Sequence, residues 1–197
     1  MHNTCVKIIN GQKSFTNVVE NLFKMKISLW KKLKEHILLT INCGKKEMNM
    51  KLGITSDHRG FKLKTNLFKR LEEEYQIIDF GTFSEESVDY PDYAFKLSEE
   101  VANKNLDYGI AICGSGIGIS IACNKVKGIR AARVVSLEDV LETRTDNDAN
   151  IICLSEKLST DEAYTLVKKF IETPFSIEER HHRRIEKIAK YEDSHEC

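Results

Sequence analysis

From residue 50 onward, short apolar runs alternate with longer segments whose apolar residues recur every three or four positions. KLGITS (51–56), QIIDFG (76–81), YGIAIC (108–113), IRAARVV (129–135) and IICLS (151–155) are the runs. Their length and their content of Ile, Val and Tyr predict strands. Between 60 and 74, Phe61, Leu63, Leu67, Phe68 and Leu71 fall at helical spacing. Further helices are expected over 93–103, 116–125, 137–145 and from Ser159 to just before Pro174, where Ser159 and Glu162 have the spacing of a capping box. Tyr90 and Pro91 read as part of a loop, and a strongly basic helix over 177–191 closes the pattern. Five strands separated by helices are βαβ units, so the expected fold is a three-layer αβα sandwich around a five-stranded parallel, Rossmann-like sheet. Ligands of such sheets bind beyond the carboxyl ends of the strands, near a reversal of strand order.

The first 49 residues differ in kind. They hold nine lysines, no arginine and three glutamates, a net of +6, although the whole chain of 197 residues is neutral. The other 148 residues therefore carry 21 basic and 27 acidic side chains. An amphipathic helix is expected over 16–39, whose lysine-flanked apolar face suits an anionic membrane or a partner. The plainer reading is an appended segment, or one upstream of a true start at Met48 or Met50. The division expected is thus 1–49 as a basic extension and 50–197 as the functional domain. No run of 18 apolar residues is present, so stable membrane insertion is not expected. Six cysteines without a C-x-x-C pair point to a reducing, cytoplasmic compartment. The six histidines lack metal-ligand spacing, so neither a metal nor a cofactor is expected.

The candidate chemistry sits in YGIAICGSGIGISIACNKVKGIRAA, where a strand ends in Cys113 and Gly114, Gly116 and Gly118 follow at alternate positions. Bare backbone at a helix start exposes successive N–H groups, a nest able to hold an anion or a developing oxyanion. The dinucleotide fingerprint needs glycine at 119 and a C-x₅-R phosphatase loop needs arginine there; Ile119 fits neither, and the G-K-[ST] of a P-loop is absent. A thiol facing such amides is a candidate base or nucleophile, because a helix N-terminus favours the thiolate. The competing reading is a core cysteine that merely ends a strand. Asp57 and His58 follow the first strand at the same edge; His58 suits proton transfer near neutral pH, and Asp57 equally suits a helix N-cap. Arg180 and Arg184, four apart beside His181, suit a phosphate, or else form a solvated basic face. Together these features point to a small phosphorylated substrate rather than a nucleic acid.

SDHRGFKLK, DFGTFSEESVDYPDYA, ICGSGIGISIACNKVKGIRAA, NDANI and RHHRRI occur in this order between Lys51 and about Tyr191. In them the chain resembles the family of type B ribose 5-phosphate isomerases, which includes galactose 6-phosphate and allose 6-phosphate isomerases. The resemblance implies a metal-free aldose–ketose isomerase working through a cis-enediol. By position it makes Cys113 the base that moves a proton between C1 and C2, Ser115 the group for proton exchange at O1 and O2, and the amides of 114–118 the stabiliser of the enediolate. Asp57, His58 and Tyr90 would contact the sugar and its phosphate. Arg180 and Arg184 would clamp the phosphate, with Lys157 where relatives often carry arginine. It also implies a homodimer with composite active sites.

One position departs from the family. Asp146 stands where most relatives have a histidine that assists opening of the furanose ring, and an aspartate with an ordinary pKa near ~4 is a poor proton donor at neutral pH. Either His181 shares that role, or the substrate needs no ring opening, as for a tetrose 4-phosphate. Residues 133–142 also look atypical for the family. Three functions are therefore kept: interconversion of ribose 5-phosphate and ribulose 5-phosphate, the same chemistry on a tetrose or hexose phosphate, and a non-catalytic sugar-phosphate-binding module.

Overall fold

The computed structural model describes residues 50–194; the helix expected over 16–39 lies outside them. In chain order the elements are β1 (Lys51–Ser56), α1 (Phe61–Leu71), β2 (Gln76–Asp79), α2 (Tyr90–Ala102), β3 (Tyr108–Cys113), α3 (Ile117–Cys123), β4 (Ala131–Arg133), α4 (Leu137–Thr145), β5 (Ile151–Ser155), α5 (Thr160–Glu172) and α6 (Glu179–Ser194). All strands pair in parallel, in the order β2-β1-β3-β5-β4. The three-layer α/β sandwich expected from the pattern is the fold found. None of the described helices is long and apolar enough to cross a membrane.

The period of two along each strand divides the core. Leu52, Ile54, Ile110, Ile112, Ile152 and Leu154 face α1, α4 and α5, and meet Leu67, Val140, Val167 and Phe170 in one cluster. Ala111, Cys113, Ile151 and Cys153 face α2 and α3 with Leu97, Val101 and Ile119. This second face is built of smaller residues. A Cβ on Gly53 would lie 2.4 Å from Leu97 and one on Gly109 would lie 3.2 Å from it. Bare backbone here is what lets α2 approach the sheet, and with it the loop that follows Cys113.

Several boundaries differ from expectation for identifiable reasons. Tyr90 and Pro91 are not loop: they open α2 after an extended Asp89 at the N-cap position, because proline is tolerated in the first helical turn. Gly116 is the cap of α3 rather than its first residue, held at φ +76°. β4 shrinks to three residues since it is an edge strand bonded to β5 alone, although Val134 N–H still donates to Cys153 O at 3.1 Å. β2 ends at Asp79, whose carboxylate pairs with the buried Lys64, and α6 runs from Glu179 to Ser194. The Ser159/Glu162 capping box is present, and α4 has a second one formed by Ser136 and Asp139.

The connection through α4 determines where the site residues fall. It leaves the carboxyl end of β4 and returns to the amino end of β5, so Asp146, at its C-cap, lies at the opposite end of the sheet from Cys113. Arg144, 3% exposed, secures the return by donating to Asp148 Oδ1, Ala149 O, Thr173 O and Tyr108 OH. The start of α6 is tied to the same corner by Ser176 N–H donating to Thr145 O at 3.2 Å.

Candidate active site

The chain departs from β1 to one side of the sheet for β2 and to the other for β3, so the switch in winding lies between β1 and β3. Their carboxyl ends are Ser56 and Cys113. Asp57 follows β1, 5% exposed; its N–H donates to Ile112 O at 3.2 Å and its Oδ1 accepts from Gly60 N–H at 2.9 Å. It caps the turn into α1, while Gly60 is the N-cap itself. His58 Nδ1 lies 3.2 Å from both N and O of Val88, which ties the strand end to the loop before α2.

Cys113 ends β3 with its side chain on the α2/α3 face, 4% exposed, and its Sγ accepts from Gly116 N–H at 3.2 Å. The left-handed Gly116 turns that amide toward the sulfur. A Cβ there would meet the Leu154 backbone at 3.1 Å, so both conformation and space require glycine. A Cβ on Gly118 would lie 2.8 Å from the Tyr90 ring, which places Tyr90 against the loop. Ser115 is exposed; its Oγ accepts from Ile117 N–H at 3.2 Å and its carbonyl accepts from Arg133 Nε at 2.9 Å. Ser155 Oγ, at the end of β5, donates to Gly114 O at 2.9 Å, and Lys157 follows two residues later.

Cys123 and Cys153 lie in the same cluster beneath the loop, and both are free thiols. Burial pushes the Cys153 thiol well above the usual range, which keeps it in the unreactive form at neutral pH. Cys113 differs from them in position: it stands at the sheet edge and has an amide donor.

Asp146, His181, Arg180 and Arg184 form a separate group. His181 is 2% exposed, and its Nε2 accepts from Arg180 Nε at 2.9 Å. Since a guanidinium nitrogen only donates, Nε2 is unprotonated and Nδ1 carries the proton, which points to Asp146 O at 3.2 Å. The Asp146 carboxylate, about half exposed, accepts from Thr145 Oγ1 at 2.8 Å and lies 3.7 Å from His181 Nδ1. Arg180 also pairs with Glu178 at 2.8 Å. Arg184 lines a cavity of about 440 Å³ with Ile129, Ala131, Ala132, Ile185 and Ile188.

Within one chain, then, Asp57, His58, Tyr90, Cys113, Ser115, the three loop glycines and Lys157 converge on the carboxyl edge. Asp146, His181, Arg180 and Arg184 do not join them. The five residues of β5 alone put roughly 17 Å between the two ends. Two charged residues at the first group escaped the sequence reading. Arg59 lies flat against Gly114, whose Cβ would fall 2.6 Å from the guanidinium carbon, and it is ion-paired to Glu156. Arg133 holds the loop through Ser115 O. A signal for Arg59 existed, since it follows His58 directly just as Glu156 directly precedes Lys157.

A parallel α/β sheet with a thiol, an acid and an imidazole at its switch point is the frame of an enzyme. Comparison with known proteins narrows that class. Residues 52–188 match the family model described as Ribose/Galactose Isomerase. A probable ribose-5-phosphate isomerase B of Mycoplasma genitalium is 40% identical over 149 residues, covering 74% of this chain and 97% of that protein. The structure of Clostridium thermocellum ribose-5-phosphate isomerase B superposes with a TM-score of 0.72 at 44% identity, covering 75% of this chain and 100% of the other. The Mycoplasma genitalium enzyme with bound ribulose-5-phosphate gives 0.69 at 38% identity, with 74% and 98% covered. The chain belongs to the ribose/galactose isomerase family and is an isomerase.

Proposed function

We propose that this chain interconverts ribose 5-phosphate and ribulose 5-phosphate through a cis-enediol, with Cys113 as the base. The observation that carries the reading is Sγ of Cys113 at the switch point, 3.2 Å from the Gly116 amide. The Cys113 thiolate takes the proton from C2 of the aldose and returns it to C1, so the same group serves both half-reactions and no net proton is consumed. Amides of the 114–118 loop stabilise the negative oxygen as it develops, and Ser115 carries the proton between O1 and O2. Asp57, His58 and Tyr90 hold the sugar, and Lys157 meets the phosphate. The bound ribulose-5-phosphate in the Mycoplasma genitalium relative supports the substrate class.

Arg180 and Arg184 reach a phosphate at this edge when a second copy of the chain supplies them, which makes the functional unit a homodimer with composite sites. The separation of the two residue groups supports this, as does the exposure of Ile188 of α6, 51% exposed where it lines the cavity. On binding phosphate, Arg180 leaves His181, and the freed Nε2 together with Asp146 faces the ring oxygen of the furanose. A second reading keeps the same chemistry on a tetrose 4-phosphate, favoured by the carboxylate at 146. Turnover of ribose 5-phosphate and erythrose 4-phosphate, measured side by side, separates the two. A far higher kcat/KM on the pentose is expected; turnover of the tetrose alone would transfer the assignment, and turnover of no sugar phosphate would leave a binding module.

A further inference from the structure

Gly114 presents an unexplained feature. Unlike Gly116 it has no positive φ, so its conformation does not demand glycine. What its missing side chain accommodates is Arg59: a Cβ would lie 2.6 Å from both the guanidinium carbon and Nη1, and 2.8 Å from Nε. The guanidinium is thus laid against the backbone joining the thiol residue to the nest. Glu156 Oε1 pairs with its Nη2, and Glu156 N–H donates to Cys113 O at 2.9 Å. The anchor of the arginine is therefore fixed to the residue that bears the thiol. Glu156, Asp57 and Cys113 all contribute negative potential at the guanidinium, which holds it firmly charged. About half of the Arg59 side chain is exposed, so it is open to a ligand at this edge.

We propose that Arg59 is a further catalytic residue, donating to the oxygens on C1 and C2 as negative charge develops in the enediolate, and that Glu156 is its positioning residue. This rests on the isomerase reading above. A planar fork with several donors fits two vicinal oxygens, and a fixed cation there acts on the charge-separated transition state more than on the neutral sugar. Its place against Gly114 and within electrostatic reach of Cys113 assigns it to the reacting end of the substrate. Lys157 and the arginines of α6 are left for the phosphate.

The test compares wild type with Arg59→Ala, Arg59→Lys and Glu156→Gln in turnover of ribose 5-phosphate, in inhibition by inorganic phosphate, and in direct binding of a phosphorylated hydroxamate that mimics the enediolate. Arg59→Ala is expected to lower kcat by about 10²–10³-fold with KM changed only a few-fold. Lysine should restore part of the loss, added guanidinium ion should restore part of it in the alanine variant, and Glu156→Gln should lower kcat by about tenfold. Hydroxamate binding should weaken along with kcat while phosphate inhibition stays as in wild type. Wild-type kcat in Arg59→Ala overturns the proposal, as does equal weakening of phosphate and hydroxamate, which would make Arg59 a phosphate contact. If wild type fails to turn over ribose 5-phosphate, the function falls separately, and the hydroxamate comparison alone decides on Arg59. Should Arg59→Ala not fold, Glu156→Gln and Arg59→Lys carry the same readouts.

Discussion

The two ends of this sheet are built to different standards of completeness. At the carboxyl edge, the loop after Cys113 is pinned from every side: Gly116 to Sγ, Ser155 to Gly114, Arg133 to Ser115, Tyr90 over Gly118 and Arg59 over Gly114. At the amino edge, α6 is joined to the body through the buried His181 and a few polar contacts. Its arginines are occupied by their own neighbours or line an open cavity. On the proposed reading, the difference means that the chain builds its chemistry internally and leaves its phosphate grip to be completed by a second copy. A nest of backbone amides needs no partner once glycine permits it, whereas guanidiniums on a solvated helix need an anion, and a surface to present it.

The sharpest way to break that comparison is to exchange thiols. Cys113→Ala is expected to remove at least about 10⁴-fold of kcat, since it deletes the proposed base, while leaving the fold intact. Cys153→Ala, buried in the same cluster, should lower the melting temperature and keep kcat near wild type. Equal kinetic loss from the two would erase the distinction between edge and core thiols. Gly116→Ala comes next. With φ at +76° and the Leu154 backbone at 3.1 Å, it should cost roughly 1–3 kcal/mol of stability and most of the activity by misdirecting the amide. Chemical denaturation alongside kinetics checks both parts.

At the other end the expected effects are milder and of another kind. Arg184→Ala should raise KM for the phosphorylated substrate by about 10–100-fold with a smaller change in kcat, because a charged hydrogen bond to the phosphate acts in ground and transition states alike. A pure kcat effect would place Arg184 at the reacting carbons instead. The smallest effect lies away from both ends. Glu74 accepts hydrogen bonds from Lys168 and Tyr164, which hold its carboxyl below the usual range. A depressed pKa means that its stabilisation is present above the unfolded-state value and lost as pH falls through the folded one. Because Glu74 is about a third exposed, solvent screening keeps the contribution below about 1 kcal/mol. Urea midpoints of wild type and Glu74→Gln should converge on acidification toward pH 3; a gap that persists there would contradict the assignment.

The fold was legible because burial on both faces of a parallel sheet leaves apolar runs that stand out against amphipathic helices. α4 and β5 matched their expected limits, and Ser159 with Glu162 capped α5 as the spacing indicated. The start of α2 was misread because proline looks like a loop residue although the first helical turn tolerates it. At the site, adjacency in sequence revealed Cys113 with its glycines and Asp57 with His58. The grip of Arg59 on Gly114 was hidden, since it depends on a contact between the ends of two strands. Spacing showed that Arg180 and Arg184 share a helix face, but nothing in it told which end of the sheet that helix flanks. The route of α4 and the hydrogen bonds of Arg144 determine that end, and both are long-range.

The central claim is that the thiol of one copy works with the arginines of another. Cys113→Ala and Arg184→Ala should each be nearly inactive alone at subsaturating ribose 5-phosphate. Co-expressed in equal amounts, they should form mixed dimers with one intact site, recovering about a quarter of wild-type activity if subunits pair at random. Mixtures no more active than their parents would contradict the account, and would require both groups to act within a single chain.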